Sequence, residues 1–259
     1  MKKNRIALFA NHQPSVDVAR FLKSRHVDEV CALYLSGKNT EIDQKIIEIL
    51  EIPEDLIFYG SGILKSDEHN EWFKEQCFDA IICVYWPWLL EGRMFASVRL
   101  SVNFHPALLP VNRGWFPHVH SLIDGSPCGV TLHQVEQGAD TGAIWAQKQV
   151  DISPLDTARS LYLRLQKEIV DLFVSSWEQI IEGNIEPCPQ NEINAVYHAK
   201  NEIDELDFIN LDKTVTTEEF INLLRARSFG DKGFAYFIKN GNRVYLNLRL
   251  SESSSFDCN

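Results

Sequence analysis

Apolar residues along the first hundred positions follow two alternating rhythms. Short apolar-rich runs at 6–10, 27–35, 56–58, 79–84 and 98–104 carry the β-branched and aromatic content expected of buried strands. Between them, apolar residues recur every three or four positions. Val16, Ala19, Phe21 and Leu22 do so in a helix over 15–25 that Ser15 can cap, and Ile42, Ile46 and Ile49 in one over 39–50 that stops before Pro53. Residues 67–77 predict a third helix. Strand and helix in alternation predict a Rossmann-like, mostly parallel α/β sheet with helices on both faces. Two more strands follow at 129–135 and 143–150, then a long helix at 156–182 whose apolar side is Leu161, Leu165, Ile169, Leu172, Phe173 and Ile180. Gly183 ends it. After Pro187 and Pro189 the chain turns acidic and loop-like, which divides it into an α/β domain over 1–183 and a small α+β appendage over 184–259. The appendage holds a helix at 217–226 and a hairpin at 234–250 turning on Asn240-Gly241. The second arm alternates Val244, Leu246, Leu248 and Leu250 with polar partners, an apolar face that must be covered by the chain's own sheet or, the favoured reading, by a second copy.

The end of the run at 98–104 carries the candidate chemistry. Residues two apart on a strand point the same way, so Asn103 and His105 face one site at the carboxyl edge of the sheet. Pro106 and Pro110 stiffen the loop that leaves it. A carboxylate, Asp140, stands before Thr141-Gly142 between two strands. Taken alone, Asp140 reads as a turn residue and His105 as a structural histidine. Together, an amide, an imidazole and a carboxylate can stabilise an oxyanion and move protons, as acyl transfer to an amine requires. Trp86-Pro87-Trp88 follows the fourth strand at the same sheet edge and supplies flat apolar walls.

The spacing Asn-x-His, Leu-Pro, Arg-Gly and Asp-x-Gly across 78–183 resembles the formyltransferases that use 10-formyltetrahydrofolate. Pro110-Val111-Asn112-Arg113-Gly114-Trp115 is most similar to the branch that formylates amino sugars carried on nucleotides. The resemblance implies catalytic roles for Asn103, His105 and Asp140. It implies that Tyr85, Trp86, Leu89, Leu90, Gln137 and Asp140 hold the folate. The acceptor, a dTDP-linked aminodideoxy sugar used for surface polysaccharide such as O-antigen, would meet Asn11, His12, Asn112, Arg113, Trp115, Arg225 and Arg227. Folate is a co-substrate in this reading and no metal is required.

Charge narrows the branch. The formal net charge is −11, and residues 184–259 hold 8 Lys plus Arg against 12 Asp plus Glu. Such an appendage would repel tRNA, whose binding rests on counterion release by basic groups, which argues against methionyl-tRNA as the acceptor. The first strand exits through Asn11-His12-Gln13-Pro14, where the glycinamide ribonucleotide branch has a Gly-Ser-Asn phosphate loop. Six cysteines (31, 77, 83, 128, 188, 258) show no C-x-x-C pairing, which predicts free thiols in a reducing cytoplasm. The apolar run after Lys2, Lys3 and Arg5 is too short for a signal peptide. Two other readings stand beside the sugar transferase: a formyltetrahydrofolate hydrolase, which would usually need an N-terminal regulatory domain, and a non-catalytic folate- or nucleotide-binding module. His118 and His120 are expected on a helix after Pro117 as solvated or substrate-side groups, and His133 as a packed or supporting one. A zinc site among them is disfavoured because neither Cys nor carboxylate ligands stand near in sequence.

Overall fold

The computed structural model describes residues 3–37 and 40–252. The expected helix start at Asn39, Lys2, Cys258 and the last seven positions of the appendage lie outside the described residues. The chain packs as two compact units, neither of them continuous: residues 1–105, 130–148 and 166–193 form the first, and 106–129, 149–165 and 194–259 the second. Composition changes after Gly183, but packing follows the crossings of the chain rather than a single cut there.

The first unit is built on a 7-stranded sheet ordered β3-β2-β1-β4-β5-β7-β8. Its strands are β1 (Asn4–Ala10), β2 (Asp28–Leu35), β3 (Ile57–Tyr59), β4 (Ala80–Val84), β5 (Leu100–His105), β7 (Gly129–His133) and β8 (Ile144–Gln149). Neighbours from β3 through β5 pair in parallel. β7 runs antiparallel to β5, with Asn103 opposite His133 and His105 opposite Thr131. Alternate residues of β1, β2 and β4 feed opposite faces. Phe9, Tyr34 and Cys83 join Phe73 of α3 (Asp67–Glu75) and Met94 of α4 (Gly92–Phe95) in one core cluster. On the other face Phe104 packs on Phe173 of α6 (Ala158–Ile181), which also meets Phe21 of α1 (His12–Ser24). Burial on both faces is why these strands read as apolar-rich runs.

α1 starts three residues before the expected cap. Asn11 is the N-cap, and Ser15 lies inside the first turn, where its hydroxyl accepts from Asn11 N at 2.8 Å and donates to Asn11 O at 2.7 Å. α2 (Thr40–Leu50) and the long α6 match the apolar stripes, and Gly183 takes φ 73° just past α6.

The second unit holds α5 (Pro117–Asp124), α7 (Glu202–Asp207) and α8 (Thr217–Ala226), the last closed by a capping box of Thr216 and Glu219. Short pairs join β6 (Arg113–Gly114) to β9 (Tyr197–His198) and β10 (Ser228–Phe229) to β11 (Lys232–Gly233). The hairpin pairs β12 (Tyr236–Lys239) with β13 (Asn242–Tyr245), and Asn240 and Gly241 both take positive φ as its tight turn requires. β13 ends five residues before the expected arm does, although Leu246, Leu248 and Leu250 still alternate half-buried with exposed Asn247 and Arg249. Among the described residues no helix is long and apolar enough to cross a membrane.

Candidate active site

β5 and β7 bring three polar side chains to one carboxylate. The antiparallel register makes Asn103 and His133 direct cross-strand neighbours. Asn103 Nδ2 lies 2.9 Å from His133 Nε2. His133 Nδ1 sits 2.7 Å from the Gln134 carbonyl, which can only accept, so the proton is assigned to Nδ1 and Nε2 keeps its lone pair. Asn103 therefore donates to His133, and that bond sets which way its amide faces. The second Nδ2 hydrogen reaches Asp140 Oδ1 at 3.3 Å. Asp140 Oδ2 lies 3.4 Å from Nδ1 of the buried His105, and Oδ1 lies 3.5 Å from His133 Nε2. One carboxylate thus faces two imidazoles and an amide inside the first unit.

The contacts differ in strength. The 2.9 Å bond to His133 fixes the amide, while the long bond to Asp140 leaves the second hydrogen weakly held, so that a developing oxyanion beside it can share it. With Nδ1 toward Asp140, His105 is oriented as a histidine backed by a carboxylate, which can take up a proton and release it. Asp140 holds φ 55°, a left-handed conformation uncommon for a residue with a side chain, and such residues cluster at functional sites.

Tyr85, with φ 53°, leaves β4 at the point where the strand order reverses between β1 and β4, the crevice where open α/β sheets bind ligands. Trp86 packs edge-on to Phe9 and to Trp88, at 5.3 and 5.0 Å between ring centroids. Leu89 is 69% exposed, whereas Leu90 belongs to the core cluster with Phe73 and Met94, so its place is structural rather than an open folate wall. Gln137 is exposed on the Asp140 loop. Asn11 is tied into the strand ends: its Nδ2 donates to Tyr85 O at 3.0 Å and its Oδ1 accepts from Ser36 Oγ at 3.0 Å, which removes it as a free acceptor ligand. His12 stands exposed at the start of α1, and partial burial holds its pKa below the usual histidine range.

In the second unit several expected acceptor groups are engaged by the protein itself. Asn112 is buried; its Nδ2 donates to Ser121 Oγ and Ser126 Oγ, both at 3.0 Å, and its Oδ1 lies 3.0 Å from His198 Nε2. Arg225 donates to the carbonyls of Asp156 and Ser153 and to Asn222 Oδ1, which ties α8 to the turn before α6. Arg227 is 7% exposed, donates to Asp207 Oδ1 at 2.6 Å and lies over the Phe234 ring. Asn112 and Arg227 are buried and half-buried Arg225 is tied to three protein acceptors, so each has a structural partner in this arrangement. Arg113 is buried on β6, and Trp115 stays partly exposed with Lys200 4.8 Å above its ring.

His118 and His120 are on a helix as expected but are buried, not solvated. Burial, and then the neighbouring positive groups, lowers His118 to about 3 and His120 to about 4, so both are neutral at pH 7. A carboxylate does stand near, contrary to the sequence reading. His120, His198 and Glu202 place potential metal-ligating atoms within 4.8 Å of one another. Yet the His120 and His198 rings stack at 3.4 Å and 5°, so their in-plane lone pairs run side by side instead of converging. His198 also meets Glu202 Oε2 at 2.9 Å and Asn112 Oδ1 at 3.0 Å through its two nitrogens. This cluster is a packed joint.

Two polar groups near Asp140 escaped the sequence reading. His133 was placed only as a supporting group with no partner, because its match to Asn103 depends on an antiparallel register that no local pattern encodes. Gln190 was passed over as part of an acidic linker, yet its Nε2 donates to the carbonyls of Asp140 and Gly142.

The chain matches the Formyl transferase family model over residues 4–176 and the N-formyltransferase dimerization C-terminal domain over residues 202–252. It is 33% identical over 177 residues to a dTDP-4-amino-4,6-dideoxyglucose formyltransferase of Mycobacterium tuberculosis, a match covering 67% of this chain and 74% of that protein. It is 32% identical over 225 residues to a methionyl-tRNA formyltransferase of Lactobacillus acidophilus, covering 85% of this chain and 70% of that one. A 4-N formyltransferase from Francisella tularensis has a similar structure, with TM-score 0.84 at 27% identity, covering 97% of this chain and 99% of that one.

Proposed function

The chain belongs to the formyl transferase family, and from that premise we propose that it moves the formyl group of 10-formyltetrahydrofolate to the amine of a dTDP-linked aminodideoxy sugar. The observation that carries this reading is the convergence of Asn103, His105 and His133 on Asp140. The neutral amine attacks the formyl carbon and the carbonyl oxygen becomes an oxyanion. The Asn103 hydrogen that Asp140 holds only weakly is shared with that oxygen. His105, backed by Asp140, passes the proton lost by the new ammonium toward the departing folate nitrogen, and the carbon–nitrogen bond to folate breaks.

The folate lies against Trp86, Leu89 and the Gln137–Asp140 loop. The names of the mycobacterial and Francisella relatives support an amine on C4. The acidic appendage and the match to a dimerization domain favour a sugar acceptor and a homodimer over a tRNA. Exposed Ile238, Val244 and Tyr245 on the hairpin suit such an interface. Residues 1–183 supply the reacting groups and 184–259 substrate contact, dimer contacts or both, in a cytoplasmic enzyme serving surface-polysaccharide synthesis.

The test is incubation with 10-formyltetrahydrofolate and a panel of dTDP- and UDP-linked 3-amino and 4-amino sugars, read by mass spectrometry. A gain of one formyl group on a dTDP-linked 4-amino sugar is expected. Release of formate with every sugar unchanged would instead favour the hydrolase.

A further inference from the structure

Past α6 the chain returns to the edge of the active-site loop. Ile144 N donates to Cys188 O at 2.7 Å and Cys188 N to Ile144 O at 2.8 Å, an antiparallel bridge. In antiparallel pairing one strand advances as the other retreats, so two residues beyond Cys188 the chain stands opposite Gly142. Gln190 occupies that place. Its Nε2 donates to Asp140 O at 2.8 Å and to Gly142 O at 2.7 Å. A carboxamide nitrogen has two hydrogens, and here they span the backbone that carries the Asp140 carboxylate.

This loop needs holding. Asp140 sits at φ 55°, and a Cβ on Gly142 would lie 1.9 Å from Gln134 O, so the chain turns tightly on both sides of Thr141. The carboxylate's contacts to Asn103 and His105, at 3.3 and 3.4 Å, are near the outer limit of hydrogen bonding. An ångström of drift in the loop would remove them both.

We propose that Gln190 is a positioning residue for formyl transfer: by bonding the carbonyls of residues 140 and 142, it holds the Asp140 carboxylate within reach of His105 and Asn103. The inference rests on the reading of those three residues as the reacting site. The Asp140 carboxylate beside Nδ1 favours protonated His105, and the His133 ring, with its centroid 6.2 Å away, is another titratable group that faces it. Loosening the loop should therefore weaken transfer and lower the pH at which His105 titrates.

Gln190→Met keeps length and bulk but removes both donors, Gln190→Ala removes the side chain, and Asp140→Asn serves as the reference. Each is followed by steady-state kinetics, calorimetry and proton–nitrogen NMR titration of the His105 ring. In both Gln190 variants kcat should fall by about 10- to 100-fold, with the Michaelis constant for the sugar nearly unchanged, melting close to wild type and the His105 midpoint shifted toward acid. An unmoved His105 midpoint in folded Gln190→Met, with Asp140→Asn shifting it, would overturn the clamp and leave the site reading intact. If Asp140→Asn also turned over at the wild-type rate, the site reading itself would fall. The NMR arm decides the clamp even if no acceptor is found.

Discussion

Two groups of histidines stand beside a carboxylate in this chain, and they are assembled in opposite ways. In the first unit the His105 and His133 rings are 6.2 Å apart and nearly perpendicular at 78°, and both point a nitrogen toward Asp140. In the second, His120 and His198 lie flat on each other at 3.4 Å, with Glu202 bonded to one ring from the side. Convergence leaves hydrogens and lone pairs that a substrate can claim by displacing weak contacts. Stacking buries ring faces, and His118 Nδ1 and His120 Nε2 are buried with no hydrogen-bond partner among the described residues. Residue type alone does not separate a reacting centre from a structural joint; the direction of the polar atoms does.

The sharpest way to break the comparison is to remove one member from each group. Asn103→Ala, His105→Ala and Asp140→Ala should each lower kcat by ~10²–10³-fold, the usual cost of losing an oxyanion or proton-transfer group, with melting little changed. His118→Phe in the packed group should lower the melting temperature and leave kcat near wild type. Steady-state kinetics beside calorimetry reads both, and equal losses of kcat would erase the distinction.

His133→Phe is the next largest effect. It removes the acceptor that orients the Asn103 amide but touches no reacting atom, so kcat should fall by about tenfold, less than for Asn103→Ala. Because both variants act through one hydrogen bond, the double variant should be no slower than Asn103→Ala alone. Additive losses would mean that His133 acts independently.

The sequence carried the first unit further than the second, and the reason is the range of the interactions. Buried parallel strands need apolar residues on both faces, so β1, β4 and β5 stand out as runs, and the i, i+2 relation of Asn103 to His105 is a local property of a strand. Asp140, a turn residue when taken alone, was legible only together with Asn103 and His105 in the family's spacing. The antiparallel seat of β7 beside β5 leaves none, so the His133 bond could not be read. The same holds for Gln190, whose partners sit about fifty residues earlier. In the second unit Arg225 and Arg227 read as candidates for the acceptor, and only long-range folding brings Ser153, Asp156 and Asp207 to them. His118 and His120 have the same spacing on a buried helix as on an exposed one.

Burial of His118 and His120 also predicts how stability depends on pH. Both are held well below the ordinary histidine value of about 6.5, to about 3 and about 4. On acidification through 6.5 the unfolded chain takes up protons that the folded chain refuses. Stability is therefore intact above about pH 6.5 and falls as pH drops toward the folded values, with a limiting slope of about 1.4 kcal/mol per pH unit for each histidine. Urea unfolding at pH 7 and at pH 5 measures the difference. His118→Leu should reduce it, and an unchanged pH dependence would mean that His118 does not titrate as a buried neutral group.

The smallest effect concerns the arginines of the second unit. Arg225 and Arg227 were the sequence's candidates for the acceptor's phosphates, but their nitrogens serve Ser153, Asp156, Asn222 and Asp207. Arg225→Lys keeps the charge yet cannot span two carbonyls and a side-chain amide at once, since an ammonium lacks the planar fork of a guanidinium. Arg227→Lys likewise keeps a partner for Asp207 but loses the flat face over Phe234. Each should destabilise the chain by about 1–2 kcal/mol, as a weakened buried hydrogen-bond set does, and leave the Michaelis constant for the sugar within a factor of about two, an effect of under half a kcal/mol. The opposite pattern, a Michaelis constant raised tenfold with unfolding unchanged, would show that these guanidiniums leave their protein partners for the substrate. The second unit would then hold a binding site of the convergent kind seen around Asp140.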